Sequence, residues 1–493
     1  MLLNIALAVV TGLLLILIHP RFDAALLAPF APAPLLYALA REWSPRRRFF
    51  LGYIAGVVFW AGMCYWIHFV MSVHGRLGPV LGAGVFLLFC LLKGLHLGVF
   101  GLLGGILMRR SYAVAAIPPL WVAIERIPDP FGFMWLHLGN AGVNMGVPMR
   151  LAPLTGVYGL SFLFAMMATA LTLIALGRPR VQLAPVALVL IPLLLPRLPD
   201  PQQPSSTAVS VQPNIDETAQ WTAEMVAQLN QSLEYLSLKK ALESRPRLIL
   251  WPEMPAPIYY YDDPPLRERV AQIARLTGAH VLMGTVAYND KKAPLNAALI
   301  VAPDGRVLGR YDKMFLVPFG EYIPAPFGGI ATRITNEIGD FVPGERVVTF
   351  KTGADTVGPF ICYESAFPHL VRRFVLEGAT VLVNLSNDGY FGRTAAREQH
   401  LQLVRMRAAE NRRWILRATN DGITATVDPA GRVVQRFEPF RQDSFIAAYS
   451  AVADLTRYSR WGDWFAWTCA AGAVVALLGS QVPAYRRVSP NMP

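Results

Sequence analysis

Three residues of the sequence, Glu253, Lys313 and Cys362, each lie beside an apolar run that is typical of a buried strand. In open α/β sheets, functional side chains gather at such strand ends. A thiol of ordinary pKa is mostly protonated at neutral pH, so it needs a nearby base to act as a nucleophile. A carboxylate in a partly desolvated pocket can accept that proton, and a fixed ammonium can stabilise an oxyanion. Together the three residues predict base, oxyanion stabiliser and nucleophile for attack on an ester or amide carbonyl.

Each of these residues also has a structural interpretation when it is taken alone. Glu253 could cap a helix or form a salt bridge, Lys313 could be a solvated surface charge, and Cys362 could be a small buried apolar side chain. Cys362 is nevertheless the only cysteine outside the hydrophobic blocks of the sequence, which contain Cys64, Cys90 and Cys469. The cysteines therefore predict neither a disulfide framework nor a zinc site. The histidines do not cluster at metal-ligand spacing, and we expect no metal and no organic cofactor.

The elements that would position these side chains lie in residues 199–460, where short β-branched runs alternate with helical patterns. This alternation predicts a layered α/β domain of about 250 residues. A linker with four prolines, residues 196–206, precedes it. We predict strands at 207–212, 247–251, 280–286, 297–301, 356–361 and 380–385, and helices at 222–243, 265–276, 367–376 and 395–411.

The rest of the sequence is apolar enough to require contact with lipid. Hydrophobic residues make up 54% of the chain and charged residues 16%, more apolar surface than a soluble protein of this length can bury. We predict about seven transmembrane helices in residues 1–198 and one in residues 461–493, which ends in a cytoplasmic tail. The expected spans are 2–18, 22–40, 49–71, 80–107, 112–127, 154–176, 181–197 and 463–480. Residues 128–153 could instead form a re-entrant or interfacial loop.

Clusters of arginine lie in every second connection between these spans and predict the orientation of the chain. By the positive-inside rule, both termini are cytoplasmic and residues 199–460 face the opposite side, which in a bacterium is the periplasm. The net charge of +12 is explained largely by such clusters, so it does not indicate a nucleic-acid partner. The clusters are Arg41 with Arg46, Arg47 and Arg48; Arg109 with Arg110; Arg178 with Arg180; and Arg486 with Arg487.

Two ionisable residues, Lys93 and His96, fall inside the fourth predicted span. Ionisable groups within a membrane are functional candidates by default. A lysine there can equally extend to the interface or face the interior of the helix bundle. The sequence leaves both interpretations open.

The chemistry-bearing stretches resemble the three signature regions of the nitrilase (carbon–nitrogen hydrolase) superfamily. The resemblance rests on Trp-Pro-Glu at 251–253, Asp-Lys at 312–313 with Val-Pro-Phe-Gly-Glu-Tyr-Ile-Pro at 317–324, and Ile-Cys-Tyr-Glu-Ser at 361–365. Residues 383–391 and 399–420 are similar to further family stretches. Because these motifs follow a block of hydrophobic segments, the whole chain resembles the apolipoprotein N-acyltransferase family within that superfamily.

The resemblance implies a fold and a role for each matched residue. The fold would be an α-β-β-α sandwich joined to a polytopic helical membrane part. Glu253 matches the general base, Lys313 the oxyanion-stabilising lysine, and Cys362 the nucleophile. Four further residues match supporting or substrate-binding positions: Glu321, an acid near the lysine; Tyr363 and Glu364, which flank the nucleophile; and Trp221, which is associated with substrate handling.

The resemblance also implies the reaction. A phospholipid, typically phosphatidylethanolamine, would give its sn-1 acyl chain to Cys362 as a thioester. The α-amino group of the N-terminal diacylglyceryl-cysteine of an apolipoprotein would then accept the chain. The reaction needs no cofactor, and the partners would be these two substrates and the lipid of the bacterial inner membrane.

Two other functions remain open from the residues. A membrane-tethered amidase or thioesterase would share the first half-reaction and pass the acyl group to water, so the triad alone does not separate it from a transferase. A transporter with a ligand-binding soluble domain is a third hypothesis. Against it, the predicted spans show neither paired intramembrane acids nor an inverted repeat.

Overall fold

The computed structural model describes residues 1–127, 133–200, 203–216, 221–253, 259–322 and 341–481. Its first part is helical and runs to residue 194, and its second part contains two six-stranded sheets between residues 206 and 449. A final helix, after the sheets, packs back onto the first part. The predicted order of a helical part, an α/β part and a last helix is thus observed among these residues.

The helical part contains nine α-helices within the described residues, and four 3₁₀ helices lie between them. Arg180–Leu190, which precedes the last α-helix of this part, and Ala25–Leu27 are 3₁₀-helical instead of α-helical. The α-helices are α1 (Leu2–Leu17), α2 (Ala33–Arg41), α3 (Pro45–Met63), α4 (Trp66–Val73), α5 (Gly78–Leu107), α6 (Ala113–Arg126), α7 (Ala152–Thr155), α8 (Val157–Ala175) and α9 (Ile191–Leu194).

Two of these helices, α5 and α8, are long and apolar enough to cross a membrane. The pair α3 and α4 is bent by 60° at a short break and would add a third span if it is counted as one. The region 22–40 forms a 3₁₀ turn and the nine-residue α2 rather than the single long helix we predicted. Prolines explain the difference, because they lack the N–H that an unbroken helix requires.

The two sheets repeat one strand pattern. In each sheet, three neighbouring parallel strands are followed by two antiparallel strands. One further antiparallel strand pairs with the other edge of the first parallel strand, so that each sheet has six strands. The strands are β1 (Ser206–Gln212), β2 (Leu248–Leu250), β3 (His280–Tyr288), β4 (Pro294–Val301), β5 (Val307–Asp312), β6 (Phe350–Thr352), β7 (Asp355–Ile361), β8 (Val381–Ser386), β9 (Ile415–Thr419), β10 (Ala425–Val427), β11 (Val433–Arg436) and β12 (Asp443–Tyr449).

The sheets pack against each other and helices cover their outer faces, as the predicted α-β-β-α sandwich requires. Leu248 and Leu250 of β2 belong to the core shared with the second sheet. Ile249 and Trp251 belong to a separate core beneath the outer helices. This alternation follows from the two-residue period of a strand and explains why β2 is apolar throughout. The remaining helices are α10 (Ala223–Ser244), α11 (Pro264–Thr277), α12 (Pro368–Leu376), α13 (Ala396–Asn411), α14 (Arg457–Trp461) and α15 (Trp464–Gly479).

All six predicted strands and all four predicted helices of this part are present within a few residues of the predicted bounds. The structure adds six strands that we did not predict: β5, β6 and β9–β12. Several of these are short, or carry charged residues such as Arg310 and Arg417, and therefore lack the apolar run by which a strand is recognised.

Gln399 of α13 joins the sheet part to the helical part. Its Oε1 accepts hydrogen bonds from the indole N–H groups of Trp66 (3.2 Å) and Trp135 (2.9 Å). Its Nε2 donates to the carbonyls of Pro20 (3.0 Å) and Met63 (3.1 Å). One buried amide therefore satisfies four polar groups from three segments of the helical part.

We expect the substitution Gln399→Leu to destabilise the protein, because it leaves two indole donors and two carbonyls unpaired at a cost of about 1–3 kcal/mol for each buried group that stays unsatisfied. Thermal unfolding in detergent measures the effect. Gln402→Leu is the matched control, since Gln402 lies on the same buried helix and makes one long bond, 3.3 Å, to His19. Equal shifts for the two variants would contradict this role of Gln399.

Candidate active site

A buried ammonium between two carboxylates forms the centre of the site. Lys313, which follows β5, is 1% exposed, and its Nζ lies 2.9 Å from Glu253 Oε1 and 2.9 Å from Glu321 Oε2. Burial lowers the pKa of Lys313, but the two carboxylates outweigh it and hold that pKa well above the ordinary value. Lys313 therefore remains a cation, as an oxyanion-stabilising group must.

The carboxylates are held by groups that sequence reasoning missed. Asn296 of β4 donates its amide N–H groups to Glu253 Oε1 (2.8 Å) and to Glu321 Oε1 (2.6 Å). The backbone N–H of Asn387 donates to Glu253 Oε2 at 3.0 Å, and that of Val317 donates to Glu321 Oε2 at 2.7 Å. Asn296 lies within an apolar strand run, and this buried polar position is the one signal that could have identified it.

Cys362 begins a 3₁₀ turn directly after β7. Its φ is 50°, the left-handed region that residues other than glycine rarely adopt, and such conformations persist only where the surroundings enforce them. Burial and the nearby carboxylate of Glu253 raise the pKa of the thiol well above its ordinary value, against the opposing effect of Lys313. The side chain is therefore a neutral thiol that reacts only if a base removes its proton.

Glu364 ties the nucleophile turn to the lysine loop. Its Oε1 accepts hydrogen bonds from the hydroxyl of Tyr311 (2.6 Å) and from the backbone N–H of Met314 (2.7 Å). Its Oε2 accepts from the N–H of Ile361, the residue before the nucleophile, at 2.7 Å. One fully buried carboxylate thus spans the residues that flank Lys313 and Cys362.

Tyr363 joins the same turn to the helical part. Its hydroxyl accepts a hydrogen bond from the backbone N–H of Met134 at 2.9 Å, and its ring stacks on Phe133 at 5.9 Å. The carbonyl of Phe133 in turn accepts from Lys93, whose Nζ lies 4.3 Å from the ring centre of Trp60. Lys93 and His96 both line a cavity among the helices, so both face the interior of the protein.

An open cavity of about 540 Å³ lies beside the loop that follows Lys313. Its lining is mostly apolar and comes from both parts of the chain, since Met134 belongs to the helical part while Met314 and Phe315 directly follow Lys313. The other lining residues are Arg126, Leu316, Pro318, Tyr322, Phe341, Pro343, Phe367 and His369. The arrangement can hold a long apolar group close to the reactive residues.

The structure thus brings six of the seven predicted site residues into one connected region: Glu253, Lys313, Glu321, Cys362, Tyr363 and Glu364. Trp221 is half-buried and packs against the core beneath the outer helices of the first sheet, so its predicted role in substrate handling stays a prediction. Among the described residues, no group of three or more His, Cys, Asp and Glu side chains is arranged to hold a metal ion.

We expect Cys362 to contribute no thiolate absorbance between about pH 6 and about pH 9, because its pKa is raised above the ordinary thiol value of about 8.5. The measurement is the ultraviolet difference spectrum between the unmodified protein and the Cys362→Ala variant during a pH titration. The other three cysteines are present in both proteins, so their absorbance cancels in the difference spectrum. A thiolate band present at neutral pH would contradict a neutral resting thiol.

Two protein families match different parts of the chain. The carbon–nitrogen hydrolase family matches residues 202–458, and the N-terminal domain of apolipoprotein N-acyltransferase matches residues 11–170. The first match contains the site and both sheets, and the second contains most of the helical part.

Individual proteins match along nearly the whole chain. An apolipoprotein N-acyltransferase of Geobacter metallireducens is 35% identical over 98% of this chain and 95% of its own length. One from Azotobacter vinelandii is 30% identical over 96% of this chain and 93% of its own. Among solved structures, an amidase of the nitrilase superfamily from Nesterenkonia AN1 is 19% identical and covers 53% of this chain and 95% of its own, with a TM-score of 0.40.

Proposed function

We propose that this chain, which belongs to the apolipoprotein N-acyltransferase family of the carbon–nitrogen hydrolases, transfers acyl chains through a thioester on Cys362. Membership of this family makes the acceptor an apolipoprotein and the acyl donor a lipid. The observation that carries the mechanism is the buried lysine between two carboxylates beside a neutral thiol. The donor we propose is phosphatidylethanolamine.

In the first half-reaction, Glu253 takes the proton of the Cys362 thiol as sulfur attacks the sn-1 ester carbonyl. A carbon–sulfur bond forms, and negative charge develops on the carbonyl oxygen, which the ammonium of Lys313 stabilises. The carbon–oxygen bond to glycerol then breaks, and Glu253 returns the proton to the departing alkoxide. The products are a lysophospholipid and a thioester on Cys362.

In the second half-reaction, the α-amino group of the diacylglyceryl-cysteine attacks the thioester. The same ammonium stabilises the new oxyanion, and Glu253 takes the proton of the amine as the carbon–nitrogen bond forms. The carbon–sulfur bond breaks and the proton returns to the sulfur of Cys362. Because the thiol and the ammonium are both buried, water is kept from the thioester until the amine arrives.

The supporting residues keep these groups in place. Glu321 forms a second ion pair with Lys313, beside the pair with Glu253, so that the lysine stays protonated while Glu253 exchanges a proton. Glu364 fixes the spacing between the nucleophile turn and the lysine loop. We propose that Tyr363 places this turn against the helical part and that Trp221 handles substrate.

The apolar cavity beside the site is where we place the acyl chain of the donor. Its lining combines residues of the lysine loop with Met134 of the helical part. A chain leaving the bilayer along that boundary would reach the loop that follows Lys313. Long apolar ligands are held by burial of their surface, which this lining provides.

We propose a bacterial inner-membrane location with eight spans, both termini in the cytoplasm and residues 199–460 in the periplasm. The arginine-rich connections support this orientation. Arg109 donates to the backbone carbonyl of Glu42, next to the first arginine cluster, and Arg110 donates to the carbonyl of Ser480 at the end of α15. Three connections that we assign to the cytoplasm therefore lie on one face, as the positive-inside rule expects.

We expect Cys362→Ala to abolish acyl-enzyme formation and Lys313→Ala to slow it about 10²–10³-fold, the usual cost of removing an oxyanion-stabilising group. Single-turnover formation of the thioester measures both effects. Lys291→Ala, in an exposed turn, is the control for loss of a lysine. Near-normal acylation by a folded Lys313→Ala enzyme would remove the lysine from the mechanism.

The experiment that tests the function is capture and transfer of a labelled acyl chain. The detergent-solubilised protein is incubated with phosphatidylethanolamine labelled in its sn-1 chain, and the label is located by mass spectrometry. We expect hydroxylamine-labile label on Cys362, which then moves to the α-amino group of a diacylglyceryl-cysteine peptide. Release of all label as free fatty acid in the presence of the peptide would indicate a hydrolase instead, and absence of label on folded protein would exclude this donor.

A further inference from the structure

A chain of three buried polar side chains lies behind the nucleophile, and the proposed reaction does not use it. His400 of α13 and Asp388, two residues after β8, are completely buried, as is Arg417 of β9. The Nε2 atom of His400 lies 2.9 Å from the backbone carbonyl oxygen of Cys362. A carbonyl oxygen only accepts hydrogen bonds, so Nε2 carries a proton and donates it to Cys362.

The other side of the imidazole is fixed by an ion pair. His400 Nδ1 lies 3.0 Å from Asp388 Oδ1, and Arg417 Nη2 lies 2.8 Å and 2.7 Å from the two carboxylate oxygens of Asp388. The hydroxyl of Ser386 donates to Asp388 as well, at 3.0 Å. A side chain on residue 422 would overlap this carboxylate, since a Cβ built on Gly422 lies 2.2 Å from Asp388 Oδ2.

The bond from His400 determines which way the peptide after the nucleophile points. A trans peptide is planar, and its C=O and N–H point in opposite directions. Because the carbonyl of Cys362 is directed at His400, the N–H of Tyr363 is directed to the opposite side of the peptide, away from His400. A backbone N–H in that position can stabilise the oxyanion together with an ammonium.

We propose that His400, held by Asp388 and Arg417, is a positioning residue that orients the Cys362–Tyr363 peptide so that the Tyr363 N–H serves the oxyanion. This inference rests on the proposed role of Cys362 as the acylated nucleophile. The same bond also restrains the left-handed backbone of Cys362, whose φ of 50° is maintained only by its surroundings. His400 itself does not touch the reacting atoms.

The test compares two reactions of Cys362 that differ in whether an oxyanion forms. Acylation by labelled phosphatidylethanolamine develops negative charge on a carbonyl oxygen, whereas alkylation by iodoacetamide displaces iodide and develops none there. We expect His400→Leu to slow single-turnover acylation roughly 10–100-fold, less than the loss of a whole oxyanion donor, and to leave the alkylation rate unchanged. His400→Gln, whose amide can donate from about the position of Nε2, should recover part of the acylation rate.

Gln402→Leu serves as the matched control, because it removes another buried polar side chain from the same helix without touching Cys362. Unchanged acylation in His400→Leu, or acylation and alkylation that fall in parallel, would overturn the proposal. If His400→Leu does not fold, the acylation rates of His400→Gln and His400→Asn are compared instead. The shorter amide of asparagine cannot reach the carbonyl of Cys362, so equal rates for these two variants would overturn the proposal. Failure of the unmodified protein to acylate at Cys362 would reject the proposed function instead.

Discussion

The pairing of Lys313 with two carboxylates is the constraint on which the site depends. A fully buried ammonium is costly unless it is paired and hydrogen-bonded, and here Glu253 and Glu321 both contact its Nζ. The pairing brings together the end of β2 and the loop after β5, because Glu253 follows β2 while Lys313 and Glu321 both follow β5. Asn296 donates to both carboxylates and so completes the cluster. Loss of Lys313 would remove the ammonium that both carboxylates contact.

The same cluster determines the state of the nucleophile. Burial and, after it, the nearby carboxylate of Glu253 disfavour the thiolate, so the pKa of Cys362 is raised although a lysine lies close to it. In the mechanism that we propose, activation depends on proton transfer to Glu253 at the moment of attack rather than on a resting ion pair. Hydrogen bonds restrain the backbone on both sides of Cys362, since the N–H of Ile361 donates to Glu364 and His400 donates to the carbonyl of Cys362.

The helical part and the α/β part contact each other at the site itself as well as next to it. Tyr363, next to the nucleophile, accepts a hydrogen bond from Met134 of the helical part, and Gln399 holds two tryptophans of that part. The apolar cavity is lined by residues of the helical part and of the α/β part. A substrate that resides in a bilayer can thereby meet a nucleophile that resides in an α/β domain.

The sequence by itself determined the residue types and the order of the elements. Apolar runs ending in Glu253 and Cys362 identified two strands and two site residues, because strand-end chemistry is local. Sequence patterns did not identify Asn296, Asp388, His400 and Arg417, since their roles arise from contacts between residues 12 to 43 positions apart. The strand β9 was missed for a local reason, because Arg417 interrupts its apolar run, and region 22–40 was misjudged because its prolines break the helix. Only the packing of the sheets and helices decides which buried polar groups meet, because hydrogen bonds and ion pairs depend on distance in space.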